Sequence, residues 1–118
     1  MNKYVIGGLV AANALLVIYE GVAKSQEVGM PVAMTGFLCG DDAGVRSMLD
    51  KMHPGADFEE AKGMAKGTSC NFKQTYGIVK STDGRYVNAM GDTFMIIAVN
   101  AEDKVLYTWR LMKTATST

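Results

Sequence analysis

The chain is poor in the residues that most chemistry requires. It has one histidine, His53, and two cysteines, Cys39 and Cys70, among 118 residues. Two thiolates with one distant histidine make a poor zinc site, and redox motifs place their cysteines two residues apart, which these are not. Twelve basic residues balance twelve acidic ones, so no global field draws the chain to nucleic acid or anionic lipid. Arg46, Arg85 and Arg110 are scattered rather than clustered, which also argues against a nucleic-acid partner. The glycines form no phosphate-cradling pattern. Ser47, Ser69 and Ser81 have no partner histidine implied by spacing and no strand–elbow–helix context. There are no internal repeats or low-complexity segments.

The carboxylate doublets Asp41-Asp42 and Glu59-Glu60 fall in first turns of predicted helices, where acidic residues complement the macrodipole without catalysis. Exported copper-handling proteins use methionine and histidine as soft ligands, and His53 follows Met48 and Met52. The simpler reading places both methionines on a buried helix face and His53 at that helix's C-terminus. The expectation is therefore a non-enzymatic protein with no cofactor and no metal.

What the chain does have is a marked beginning. Lys3 precedes an apolar run from Tyr4 to Tyr19, broken only by Asn13 and followed by Glu20. A basic tip and such a run form a signal peptide or a signal-anchor over residues 1–23. Gly21 and Ala23 place small residues at the positions that matter for cleavage after Ala23. A retained anchor needs roughly 17–25 apolar residues, and the run from Tyr4 to Val22 reaches that length if Asn13 and Glu20 are tolerated. The anchor is the working expectation, with Lys3 setting the N-terminus inside and the domain periplasmic; a soluble, secreted module is the alternative. Gly7, Gly8, Ala11, Ala12 and Ala14 surround Asn13, a composition suited to close packing against another transmembrane helix. A leader ending at Gly8 also admits a pilin-like reading, although Asn13 stands where prepilins carry glutamate.

Past the first two dozen residues the chain is one small domain. Residues 24–31 read as a linker, 32–113 as the domain and 114–118 as a polar tail. Val32 to Leu38 is long enough for a short strand. Asp41 caps a predicted helix whose apolar face is Val45, Met48, Leu49 and Met52, and Pro54-Gly55 ends it. Asp57 caps a second helix, with Glu60 in a capping-box position. Extended stretches follow at Phe72–Lys80, Arg85–Met90, Thr93–Val99 and Lys104–Met112, with a turn at Ser81–Gly84 and a bulge or turn at Gly91-Asp92; the clearest is Lys104–Met112, with Val105, Tyr107, Trp109 and Leu111 on one face. The expected fold is α+β: an N-terminal hydrophobic helix, then a disulfide-clasped helical hairpin, bridged Cys39–Cys70, packed on a small antiparallel sheet.

Gly36-Phe37-Leu38-Cys39 before an acidic helix start, the return into a strand at Cys70, and Asp83-Gly84 before a long extended segment resemble a group of small exported bacterial proteins. Their layout is Cys–helix–helix–Cys–β-meander. The resemblance covers roughly residues 32–112 and implies a fold without an activity. Tyr86, Tyr107 and Trp109 are a candidate partner surface if the sheet's outer side carries them, and simply core if they face the helices. The combined expectation is an accessory or structural subunit with a protein partner in a membrane or envelope complex. Unreduced peptide mapping should recover Cys39 linked to Cys70; free thiols in protein taken from its native compartment would remove the clasp.

Overall fold

The computed structural model describes residues 28–115. The element order is β1 (Pro31–Cys39), α1 (Asp42–Lys51), α2 (Phe58–Ala65), β2 (Cys70–Val87), β3 (Thr93–Ala101) and β4 (Lys104–Lys113). The four strands form one antiparallel sheet in the order β1-β2-β3-β4 that curls until β4 meets β1. That closing contact is a single pair, Cys39 with Tyr107. β2 is long enough to serve two neighbours. Its first half pairs with β1 from Cys70 to Ile78, and its second half pairs with β3 from Ile78 to Val87.

Local chemistry sets the helix ends. The Asp41 carboxylate accepts the Gly44 N–H at 2.7 Å, satisfying one of the donors that a helix start leaves open. Asp57 and Glu60 form a reciprocal capping box, with the Glu60 N–H donating to Asp57 at 2.8 Å and the Asp57 N–H donating to Glu60 at 3.0 Å. Val45, Met48, Leu49 and Met52 are buried, as their spacing predicts.

The clasped helical hairpin expected from the sequence is not what the cysteines make. The bridge joins the end of β1 to the start of β2, two directly opposed residues with Cα atoms 3.8 Å apart. The helices are a connection that leaves one strand and returns to its neighbour, and the four-stranded sheet dominates the fold. The physical reason lies in residues 31–39. Phe37 and Cys39 pack on one face while Met34 and Leu38 pack on the other, so this segment is an integral strand, not a lead-in. It also begins at Pro31, inside the expected linker.

Ser81–Gly84 does not reverse the chain either. It lies within β2, where the register against β3 shifts twice, between Val79 and Ser81 and between Ser81 and Gly84. Such extra residues bend a strand without ending it. Arg85 donates to the carbonyls of Thr82 and Gly84, both at 2.9 Å, supplying partners for backbone groups at the irregularity. Gly91-Asp92, by contrast, belongs to the turn between β2 and β3.

Both faces of the sheet are apolar. One carries Phe37, Cys39, Cys70, Phe94, Ile96 and Trp109 against the two helices. The other is made by strand residues alone, chiefly Met34, Leu38, Val79, Ile97, Val99 and Leu106. Among the described residues no helix is long and apolar enough to cross a membrane. The anchor expected over residues 1–23, and with it Gly7, Gly8, Ala11, Ala12 and Asn13, lies outside the described residues, as does the end of the tail.

Gly77 sits where β2 changes partners. A Cβ there would lie 2.5 Å from the Asn100 carbonyl oxygen and 2.6 Å from Val99 Cγ1. Backbone cannot swing away as a side chain can, so Gly77→Ala is expected to destabilise the domain by roughly 1–3 kcal/mol in urea unfolding. An unchanged midpoint would show that β2 and β3 are not pressed together there.

Candidate functional site

The outer face of the β1–β2 hairpin is a ladder of opposed pairs: Cys39 with Cys70, Phe37 with Phe72, Thr35 with Gln74, Ala33 with Tyr76, and Pro31 with Ile78. Side chains alternate along strands, so all ten share one face. The helices cover the first part of it. Phe58 of α2 lies over Phe37 and Phe72, with ring centroids 6.0 and 4.9 Å away, and those two rings are 5.2 Å apart. Beyond Thr35 and Gln74 no described residue covers the ladder. Tyr76 is 71% exposed and Ile78 50%, beside the exposed Pro31 and Ala33. Val28 and Met30 are also exposed at this end.

The strip borders an open depression of about 600 Å³ lined by Tyr76, Ile78, Asn100 and the β3–β4 turn. That turn places Glu102 and Asp103 at φ 55° and 61°, the left-handed pair that a two-residue hairpin requires and that Asn-Gly would adopt at less cost. Lys73 Nζ donates to Glu102 Oε1 at 3.0 Å. This bond, with a second from Thr75, holds the Glu102 carboxyl below the usual range. The group is thus an ionised acceptor rather than a proton donor at neutral pH. The arrangement offers an apolar ledge beside a turn whose Glu102 carboxylate is paired with Lys73.

The residues singled out from the sequence fall elsewhere. Cys39 and Cys70 are joined and buried. Tyr86, Tyr107 and Trp109 do not form the exposed surface outlined for them. Trp109 is 1% exposed beneath the helices, and Tyr86 and Tyr107 pack half-buried against the same core. The Tyr86 hydroxyl donates to Asp50 at 2.7 Å, which raises its pKa, and the Arg46 guanidinium lies 4.9 Å above its ring. The sheet side facing the helices carries the aromatics, so they are core.

Asp50 and Asn88 bolt the far end of α1 to the β2–β3 turn. Asp50 also accepts the Ala89 N–H at 3.0 Å, and the Asn88 amide donates to the Leu49 carbonyl at 2.9 Å. Of the serines, Ser69 accepts the N–H groups of Gly40 and Asp41 at 3.1 and 3.2 Å and donates to Asp41 at 2.9 Å. This is a structural clamp at the start of α1. Asp42 pairs with Arg46 at 2.6 Å and Glu59 with Lys62 at 3.3 Å. Met48 and Met52 are wholly interior, while His53 is half-exposed and faces Glu60. Among the described residues no three His, Cys, Asp or Glu side chains are grouped to hold a metal.

Tyr76 stands among the aromatics of the sequence, and what sequence reasoning passed over is Ile78 beside it. The signal was present: both alternate with Phe72 on one strand face, so apolar residues return past Gln74, beyond the reach of a short helix. No protein-family model, curated protein or solved structure matches the chain.

His53 titration reports the helix–helix corner. Its Nδ1 hydrogen-bonds the Pro54 carbonyl at 3.0 Å and its Nε2 the Glu60 carboxylate at 3.3 Å. The first bond, then the second, with Asp57 adding a smaller pull, raises its pKa above 6.5. The folded state therefore favours the imidazolium. That preference is fully present below 6.5 and is lost as pH rises through the folded value. Histidine NMR titration should give a midpoint above 6.5, lowered by Glu60→Gln but not fully reset, because the Pro54 bond remains. A midpoint unmoved by the substitution would remove Glu60 from the account.

Proposed function

We infer that the chain is a non-enzymatic accessory subunit of a membrane or envelope assembly, held by residues 1–23 with its domain on the extracytoplasmic side. One observation carries the reading: the uncovered apolar strip of Tyr76 and Ile78 lies where the chain arrives from its apolar run. Gly29 N–H donates to the Val79 carbonyl at 2.8 Å, and Val79 N–H donates to Met30 at 3.0 Å, so this end of the domain is the one joined to residues 4–19. The Cys39–Cys70 bridge supports an oxidising compartment, and the resemblance to small exported bacterial proteins points the same way. Gly7, Gly8, Ala11, Ala12 and Asn13 supply the small and polar side chains with which a membrane helix packs on a protein neighbour.

The alternative is a free periplasmic binding or inhibitor-type module, favoured by the small residues Gly21 and Ala23 at a cleavage position. Intact mass of protein from alkali-washed membranes and from the soluble fraction separates the two. A membrane-retained chain that keeps Tyr4–Tyr19 is the expected result. Soluble protein starting near Lys24 would sink the subunit reading and leave the module. Where the chain is retained, replacing Ala11 and Ala12 with leucine is expected to release it from its complex; association that survives both changes reduces the segment to an anchor.

A further inference from the structure

We propose that the strip of Val28, Met30, Pro31, Tyr76 and Ile78 is a bilayer-contact surface that seats the domain on the lipid interface. The proposal rests on the anchored reading and adds an orientation to it. Three observations carry it.

The first is reach. Eight residues, Glu20 to Glu27, separate the apolar run from Val28, and a fully extended chain covers at most roughly 3.3–3.6 Å per residue, about 29 Å here. The domain measures 33 × 33 × 28 Å. A tether about as long as the domain's own dimensions is too short to pass round it and turn the opposite side to the bilayer, so the side at which the chain enters is held nearest. That side carries the strip, because Gly29 and Met30 hydrogen-bond to Val79 beside Ile78.

The second is chemistry. Tyr76, at 71% exposure, has an apolar ring and a polar tip, the combination that settles at headgroup depth. Ile78, Met30 and Val28 add apolar surface around it, and Gln74 and Lys80 flank it on β2 without a negative charge. Among the described residues, Glu102 and Asp103 stand on the β3–β4 turn that lines the same depression, and Glu102 is paired with Lys73.

The third is size. A stable protein interface takes roughly 20–30 residues from each side, and the strip has five large or rigid apolar side chains. A surface that small does not hold a soluble partner alone. Beside a tethered bilayer it need not, because a short tether makes the contact intramolecular at an effective concentration in the millimolar range.

The test uses the full chain in phosphatidylcholine vesicles, with Tyr76→Trp as the reporter and the unsubstituted chain, whose Trp109 is buried, as background. Flotation reads the anchor, and quenching by lipids brominated at shallow acyl positions reads the strip. A floating protein whose new indole is blue-shifted and loses emission to brominated lipid, with the background unaffected, supports the proposal. A second variant, Tyr76→Asp with Ile78→Asp, should float equally while its domain becomes more accessible to added protease. Flotation with an unquenched, red-shifted indole overturns bilayer contact and leaves the anchor standing. Flotation with an indole that is blue-shifted but not quenched by brominated lipid also overturns it, in favour of a second copy or another protein on the strip. Failure to float overturns the anchored reading and the orientation with it.

Discussion

Cys39 is the residue on which the architecture turns. It is the last residue of β1, it is bonded to Cys70 on the neighbouring strand, and it makes the one pairing that closes β4 onto β1. A domain of this size has little interior to hold a curled sheet shut, and the closing contact has little backbone pairing of its own. In the chain-entropy account, which is disputed, a bridge across 31 positions is worth about 3.7 kcal/mol. The constraint falls at the seam. Next to it the Thr108 hydroxyl, fully buried, donates to the Phe37 carbonyl at 3.3 Å, a second tie between the same two strands. The helices crowd onto this point as well. A Cβ at Gly44 would lie 2.6 Å from Ser69 Oγ and 3.0 Å from Cys70 Sγ, so the first turn of α1 sits against the bridge only because that residue has no side chain.

The opposite end of α1 is secured by polar groups instead. Asn88 is buried, and its side-chain oxygen accepts the N–H groups of Met90 and Asp92 at 3.1 and 2.9 Å while its amide holds Leu49. Buried polar atoms cost about 1–3 kcal/mol each when unpaired, so the turn, the helix end and Asn88 form one unit that is favourable only when complete. With the disulfide at one end and this network at the other, α1 is fixed along its length over Phe94, Ile96 and Trp109.

The parts of this fold legible in the sequence are those whose causes are local. Asp41, and Asp57 with Glu60, announce helix starts because a cap is made within three residues. Tyr107 and Trp109 announce a shared face because a strand alternates. Which face they share was not legible, since β4 is apolar on both sides, Leu106 inward and Trp109 toward the helices. The same difficulty hid β1. Its alternation is lost when Phe37 and Cys39 are buried on one face and Met34 and Leu38 on the other. Ser81–Gly84 misled for a further reason: residues that favour a turn also suit a bulge, and only the partner strand, absent from local sequence, decides between them.

The uncovered strip follows from lengths. An α-helix of ten residues spans about 15 Å and one of eight about 12 Å, whereas the nine paired positions of β1 span about 30 Å. Two helices inserted between Cys39 and Cys70 must begin and end at the bridge, so they shield the bridge end of the hairpin and fall short of the other. Length alone would leave that far end bare but says nothing about its composition. Thr35 and Gln74, the first pair beyond the phenylalanines, have the polar character of a solvated sheet face. Past them the ladder turns apolar again at Ala33, Tyr76, Pro31 and Ile78. A face that is polar at the helix margin and apolar farther out is not an overhang of the core. It is a separate apolar surface, placed at the end of the domain to which the N-terminal run is joined.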